Sequence, residues 1–82
     1  MLSIFLYTKD GCHLCDEVKQ ELTSLQAEYP HQLTEIDITR DTAVFAEYKH
    51  NIPVLQIGET RLQAPISRHN LELALQAITE GK

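Results

Sequence analysis

Cys12 and Cys15 are the only cysteines in this 82-residue chain, and their setting constrains the fold more than any other feature. An apolar run, Leu2 to Tyr7, gives way to the turn-like Thr8-Lys9-Asp10-Gly11. Cys12-His13-Leu14-Cys15 follows at once, and from there apolar residues recur at three- and four-residue steps. A strand that feeds a helix through a short turn presents the first cysteine at the helix amino end. The second then lies one turn further in, close enough to close a disulfide. A C-x-x-C pair beside a βαβ pattern, with no secretion leader ahead of it, reads as a thiol–disulfide redox site. Two other readings stay open. The pair can be half of a zinc site, which needs four ligands in total, with His13, His31, His50 and His69 as scattered candidate partners; or it can be inert.

The rest of the chain supplies the context. Leu2 to Tyr7 is expected as an interior strand buried on both faces. Cys15, Val18, Leu22 and Leu25 form one stripe, and Asp16, Glu17, Lys19, Gln20 and Glu21 fill the other faces. That pattern predicts an amphipathic helix of roughly four turns, stopped by Pro30. Leu33 to Ile38 alternates as a second strand. Thr39-Arg40-Asp41-Thr42 offers caps for a short helix with Val44, Phe45 and Tyr48 on its apolar side, broken at His50-Asn51. Pro53 to Ile57 reads as a third strand, because a proline fits at a strand head. Gly58-Glu59 suits a type II′ hairpin turn, from which Thr60 to Ala64 returns antiparallel with Leu62 inward. Ser67 can cap a last helix whose inner face is Leu71, Ala74, Leu75 and Ile78. The order β-α-β-α-β-β-α predicts an α/β fold, a four-stranded mixed sheet with helices on both faces, within one domain spanning 1–82. The first three strands are expected to connect through right-handed crossovers, leaving the hairpin as the only antiparallel pair.

Seven basic against twelve acidic side chains leave a formal charge of −5. With no Lys/Arg cluster to offset it, that balance argues against duplex nucleic acid and anionic membranes as partners. The apolar start is too short to span a bilayer and lacks a basic leader. The expectation is a cytoplasmic protein, where a lone cysteine pair is reactive and not a staple.

This element order, the C-x-x-C at the start of the first helix and the proline heading the third strand resemble the thioredoxin fold. Within that fold the chain is similar to small glutaredoxin-like proteins. The resemblance rests on Tyr7-Thr8-Lys9-Asp10-Gly11-Cys12-His13-Leu14-Cys15, Ile52-Pro53-Val54 and Gly58-Glu59, and spans essentially the whole chain. It implies a thiol–disulfide oxidoreductase or electron carrier with a redox disulfide between Cys12, the nucleophile, and Cys15, the resolving cysteine. It further implies that Lys9 lies beside the thiolate, that Pro53 is a cis-proline opposite the disulfide, and that the backbone of Ile52 pairs with the substrate strand. The partners implied are a disulfide-containing protein or a glutathione mixed disulfide, and a thiol reductant. No bound cofactor or metal is implied, and a monomer is expected. Two stretches depart from the pattern. His13-Leu14 replaces the Pro-Tyr of many glutaredoxins. Ala64-Pro65-Ile66-Ser67-Arg68 replaces the Gly-Gly turn and Asp-Asp pair with which glutathione-dependent members hold that tripeptide, which counts against glutathione as reductant. A different class, a non-catalytic module holding a metal or iron–sulfur centre through Cys12 across a dimer, stays open.

The chemistry needs a thiolate, and an ordinary cysteine of pKa ~8.5 is only a few per cent ionised at neutral pH. The amino end of the helix, Lys9 and a protonated His13 favour the anion at Cys12. Asp10, Asp16 and Glu17 oppose it, so a moderate depression of the Cys12 pKa is expected. Lys9 and His13 each also have a plain reading as solvated surface residues. His31, His50 and His69 are expected in exposed loops or at helix ends, Tyr7 either in the core or at the site, and Tyr29, Phe45 and Tyr48 in packing roles.

Overall fold

A computed structural model describes residues 2–80. In chain order they form β1 (Leu2–Thr8), α1 (His13–Ser24), β2 (His31–Asp37), a 3-10 turn (Ile38–Arg40), α2 (Thr42–Tyr48), β3 (Val54–Ile57), β4 (Thr60–Gln63) and α3 (Arg68–Glu80). The strands make one mixed sheet in the order β2-β1-β3-β4. β1 and β2 run parallel, with Leu2 opposite His31 and Thr8 opposite Asp37.

β3 pairs with β1 antiparallel, Tyr7 opposite Val54, so the hairpin is not the only antiparallel pair. The length of α2 explains the correction. Its seven residues rise about 10 Å, at about 1.5 Å each. A return along the seven-residue β2 would need about 23 Å, at about 3.3 Å each. The chain therefore stays at the end where β1 and β2 finish, and β3 starts there, running the other way.

The two faces of the sheet carry different cores. Ile4, Leu6, Leu55 and Ile57 pack with Val18, Leu22 and Leu25 from α1 and its C-terminal turn, and with Leu71 and Leu75 from α3. On the opposite face Val54, Ile38 and Tyr48 are buried, with Tyr7, Val44, Phe45 and Ile52 against them. The short α2 covers only part of that face. Phe5 on β1 is consequently 39% exposed, and the expectation of burial on both faces holds only toward the Tyr7 end.

Several boundaries differ from the sequence reading. α1 stops at Ser24, short of Pro30, because the Thr23 and Ser24 hydroxyls donate to Lys19 O (3.0 Å) and Glu21 O (2.8 Å) and compete for the helix carbonyls. β2 starts two residues earlier, at His31, and Ile38 turns into the 3-10 segment, which Asp37 caps. His31 is thereby 4% exposed, against the expectation of an exposed loop residue. Its N–H donates to Gln26 Oε1 (3.1 Å) and its Nδ1 lies 2.7 Å from Tyr29 O, which fixes the ring under the α1–β2 connection.

The turns and caps follow the expected chemistry. Gly58 has φ +59 and no non-glycine residue among those described has positive φ, as a type II′ turn requires. Asp41 Oδ1 accepts from Ala43 N (2.9 Å) and Val44 N (3.2 Å) at the start of α2. Ser67 Oγ accepts from Asn70 N (3.1 Å) at the start of α3. Arg68 then joins α3 to α1, its Nη1 donating to Glu21 Oε2 (2.8 Å) and Ser24 Oγ (2.7 Å). Among the described residues no helix is long and apolar enough to cross a membrane.

Candidate redox site

β1 ends at Thr8, and Gly11, at φ +79, turns the chain toward α1 in a conformation that favours glycine. Cys12 N–H closes this turn on Lys9 O (3.3 Å). Cys12 itself is the cap of α1, with φ −87 and ψ 99, and stands one residue outside the helix it was expected to begin. The position matters chemically. A cap side chain can accept an amide of the first turn, and here Cys15 N–H donates to Cys12 Sγ over 3.2 Å. A thiolate at this sulfur would receive that bond in charge-assisted form, at the positive end of the helix dipole.

Cys12 and Cys15 are joined by a disulfide, with their Cα atoms 5.3 Å apart. Their surroundings differ. Cys12 is half-buried, whereas Cys15 is 0% exposed and continues the buried stripe of Val18 and Leu22. A partner approaching from solvent therefore meets the first sulfur before the second.

The expected tuning residues lie on two sides. His13 Nε2 is 3.1 Å from Glu17 Oε2 one turn on, in an exposed pair. Lys9 is exposed and lines a charged groove of about 520 Å³ together with Asp16, Lys19, Glu35, Asp37 and Arg40. In that groove Lys19 Nζ bridges Glu35 (3.2 Å) and Asp16 (3.4 Å), and the hydrogen bond to Glu35 leads in holding its ammonium above the usual lysine range. Hydrogen bonds from the Thr39 hydroxyl and amide hold the Asp37 carboxyl below the usual carboxylate range.

Pro53 is buried at the head of β3, and the Ile52–Pro53 bond is cis. Ile52 N–H donates to Tyr48 O (3.2 Å). Tyr7 is a packing residue, its ring 4.5 Å from that of Tyr48 between centroids and tilted 32° to it, beneath this segment. A second cis bond, Ala64–Pro65, ends β4. The two proline segments are tied together by Ala64 N–H on Asn51 O (3.4 Å).

Between these segments and the cysteine motif lies a cleft of about 90 Å³, lined by Leu14, Val18, Pro53, Ala64, Pro65 and Ile66, with Glu17 at its rim. Leu14, inside the C-x-x-C, is 54% exposed. Reading the sequence alone missed this apolar wall. The available signal was that Leu14 falls off the Cys15–Val18–Leu22 stripe, so an apolar residue occupies an outward position. The four histidines fall in four separate places along the chain, and among the described residues no group of three or more His, Cys, Asp and Glu side chains converges as a metal site would.

Comparison with known proteins agrees with this architecture. Residues 3–76 match the family described as Glutaredoxin-like domain (DUF836). The X-ray structure of the structural-genomics target protein XcR50 from X. campestris is 31% identical, with a TM-score of 0.77 over 90% of this chain and 96% of that one. A structure described as that of a malarial protein shares the fold at 19% identity, with a TM-score of 0.64 over 95% of this chain and 96% of that one.

Proposed function

The chain belongs to the glutaredoxin-like family, and from that premise we propose that its redox thiol pair reduces disulfides of other proteins or mixed disulfides. The observation that carries this reading is the asymmetry of the pair: a half-buried sulfur at a helix cap, bonded to a fully buried one within the helix.

In the reduced protein the Cys12 thiolate attacks one sulfur of the substrate disulfide. A Cys12–substrate bond forms, and the other substrate sulfur leaves as a thiolate that takes up a proton. Cys15, having lost its own proton, then attacks Cys12 Sγ and expels the second substrate thiol. Two electrons and two protons pass from the dithiol to the substrate, and the Cys12–Cys15 bond seen in the structure is the product. A second dithiol, or two monothiols, restores the reduced pair. The cysteine sulfurs carry the electrons, so no bound cofactor enters a step.

Cys15 N–H supports the anion at Cys12 before the first attack. Lys9 and His13 bring positive charge to the motif, the second only when protonated and then shared with Glu17. A substrate strand docking at Ile52-Pro53 would pair through the Ile52 carbonyl, since the Ile52 amide is engaged by Tyr48. A cytoplasmic setting, where thiols are kept reduced, suits this direction of electron flow.

The test is a redox titration against dithiothreitol, with alkylatable thiols counted at each poise. A reversible change between none and two thiols per chain supports the proposal. Thiols that never pair, or a stoichiometric co-purifying metal, would replace it with a metal-holding module.

A further inference from the structure

The cleft beside the disulfide has a chemistry of its own. We infer that it selects protein disulfides in which an aliphatic residue flanks the attacked cysteine, and that it lacks a seat for the charged ends of glutathione. This rests on the oxidoreductase reading above and names the substrate class for the same site.

The first argument is the lining. Leu14, Pro53, Pro65 and Ile66 are apolar, and Leu14 stands 54% exposed between the two cysteines. The volume is about 90 Å³, small against the roughly 300–1,000 Å³ of pockets that enclose a whole small-molecule ligand. That suits one side chain better than a whole tripeptide. The cleft is continuous with the redox pair through Leu14 and with the cis-proline segment through Pro53. An extended substrate whose cysteine is engaged by Cys12 would lay its neighbouring side chain there.

The second argument is that several groups able to hold a carboxylate next to the cleft are already engaged. A helix amino end is a ready anion site, and α3 caps part of its own. Ser67 N–H donates to Asn70 Oδ1 (3.3 Å) and Asn70 N–H to Ser67 Oγ (3.1 Å). Pro65 has no N–H to offer, and Ala64 N–H is taken by Asn51 O. The cation at this end, Arg68, is held by Glu21 and Glu72 at 2.8 Å each. Glu17 at the rim sets a like charge against any acidic group that enters.

The experiment uses the reduced wild-type chain and three probes. These are the uncharged 2,2′-dithiodipyridine, a pair of short peptides whose single cysteine carries a pyridyl disulfide and is flanked by Leu in one and Asp in the other, and the pyridyl mixed disulfide of glutathione, so that all share one leaving group. Release of pyridinethione over the single turnover gives a second-order rate constant. The Leu peptide should exceed the Asp peptide by about tenfold or more, and the glutathione mixed disulfide should react no faster than the Asp peptide. Ile66→Asp and, independently, Leu14→Ala should each shrink the Leu preference, with circular dichroism confirming that the variants fold. If dithiodipyridine is not reduced at all, the oxidoreductase reading itself falls. If it is reduced but the two peptides react equally, or the glutathione mixed disulfide keeps pace with the Leu peptide, the selectivity is refuted while the reading stands.

Discussion

Reducing the Cys12–Cys15 bond should change the stability of the fold only modestly, and the size of the change separates a redox couple from a structural staple. The bond closes a loop of four residues, counting both cysteines. The chain-entropy expression for that loop gives about 1.9 kcal/mol at 25 °C in favour of the oxidised form. Reduction returns part of this, because it frees a thiolate at the helix cap, where Cys15 N–H and the helix dipole act on it. Such an anion at a helix amino end is worth about 0.3–1 kcal/mol at exposed sites and about 2 when partly buried. The expected gap is therefore about 1 kcal/mol, out of a total of about 4–12 kcal/mol for a chain of this length. Urea unfolding followed by far-ultraviolet circular dichroism, with and without dithiothreitol, measures it directly.

The gap should also depend on pH. A cysteine whose pKa falls on folding contributes stability that is present above its unfolded value and lost as pH drops through its folded value. The oxidised and reduced curves should then move apart as pH falls below the ordinary thiol range, because protonation removes the contribution of the thiolate. A loss of more than about 4 kcal/mol on reduction, or of the cooperative transition itself, would mark the bond as a staple and refute the reasoning.

Two other outcomes follow from hydrogen bonds at the supporting elements. Asp41→Ala removes the acceptor of Ala43 N–H and Val44 N–H and should lower stability by about 1 kcal/mol, read as a drop in urea midpoint at unchanged slope. Thr39→Ala removes the 2.6 Å hydroxyl bond to Asp37, so the Asp37 carboxyl should titrate at higher pH in an NMR titration. Because Asp37 is held below its ordinary range, its contribution is present at neutral pH and lost as pH falls through that lowered value, and the variant should lose it earlier on acidification.

The legible parts of the fold were those that local chemistry dictates. The stripe Cys15–Val18–Leu22 placed α1 and buried the second cysteine, Gly58 chose the hairpin turn, and Ser67 and the stretch Thr39-Arg40-Asp41-Thr42, of which Asp41 is the cap, marked two helix starts. The direction of β3 was not legible, because Val54-Leu55-Gln56-Ile57 reads equally well either way along the sheet. The length of α2 decides it. His31 shows the same limit: a polar side chain next to Pro30 looks like loop, and only pairing with β1, opposite Leu2, draws it inside. Ser24 ended α1 without a glycine or proline to announce it. At the site, the cysteines and the proline head of β3 were legible. The apolar cleft was not, since Leu14, Ala64, Pro65 and Ile66 come together only through the register of β4 on β3 and the packing of α1 beside it.

The account turns on Cys12 being the sulfur that meets the substrate. Its most direct test is to mix Cys15→Ser and Cys12→Ser proteins separately with a disulfide-bonded protein and locate any trapped mixed disulfide by peptide mass spectrometry. The expected result is a stable adduct on Cys12 of the Cys15→Ser chain, with none on the buried Cys15 of the Cys12→Ser chain. Trapping through Cys15, or no adduct on either variant, would contradict it.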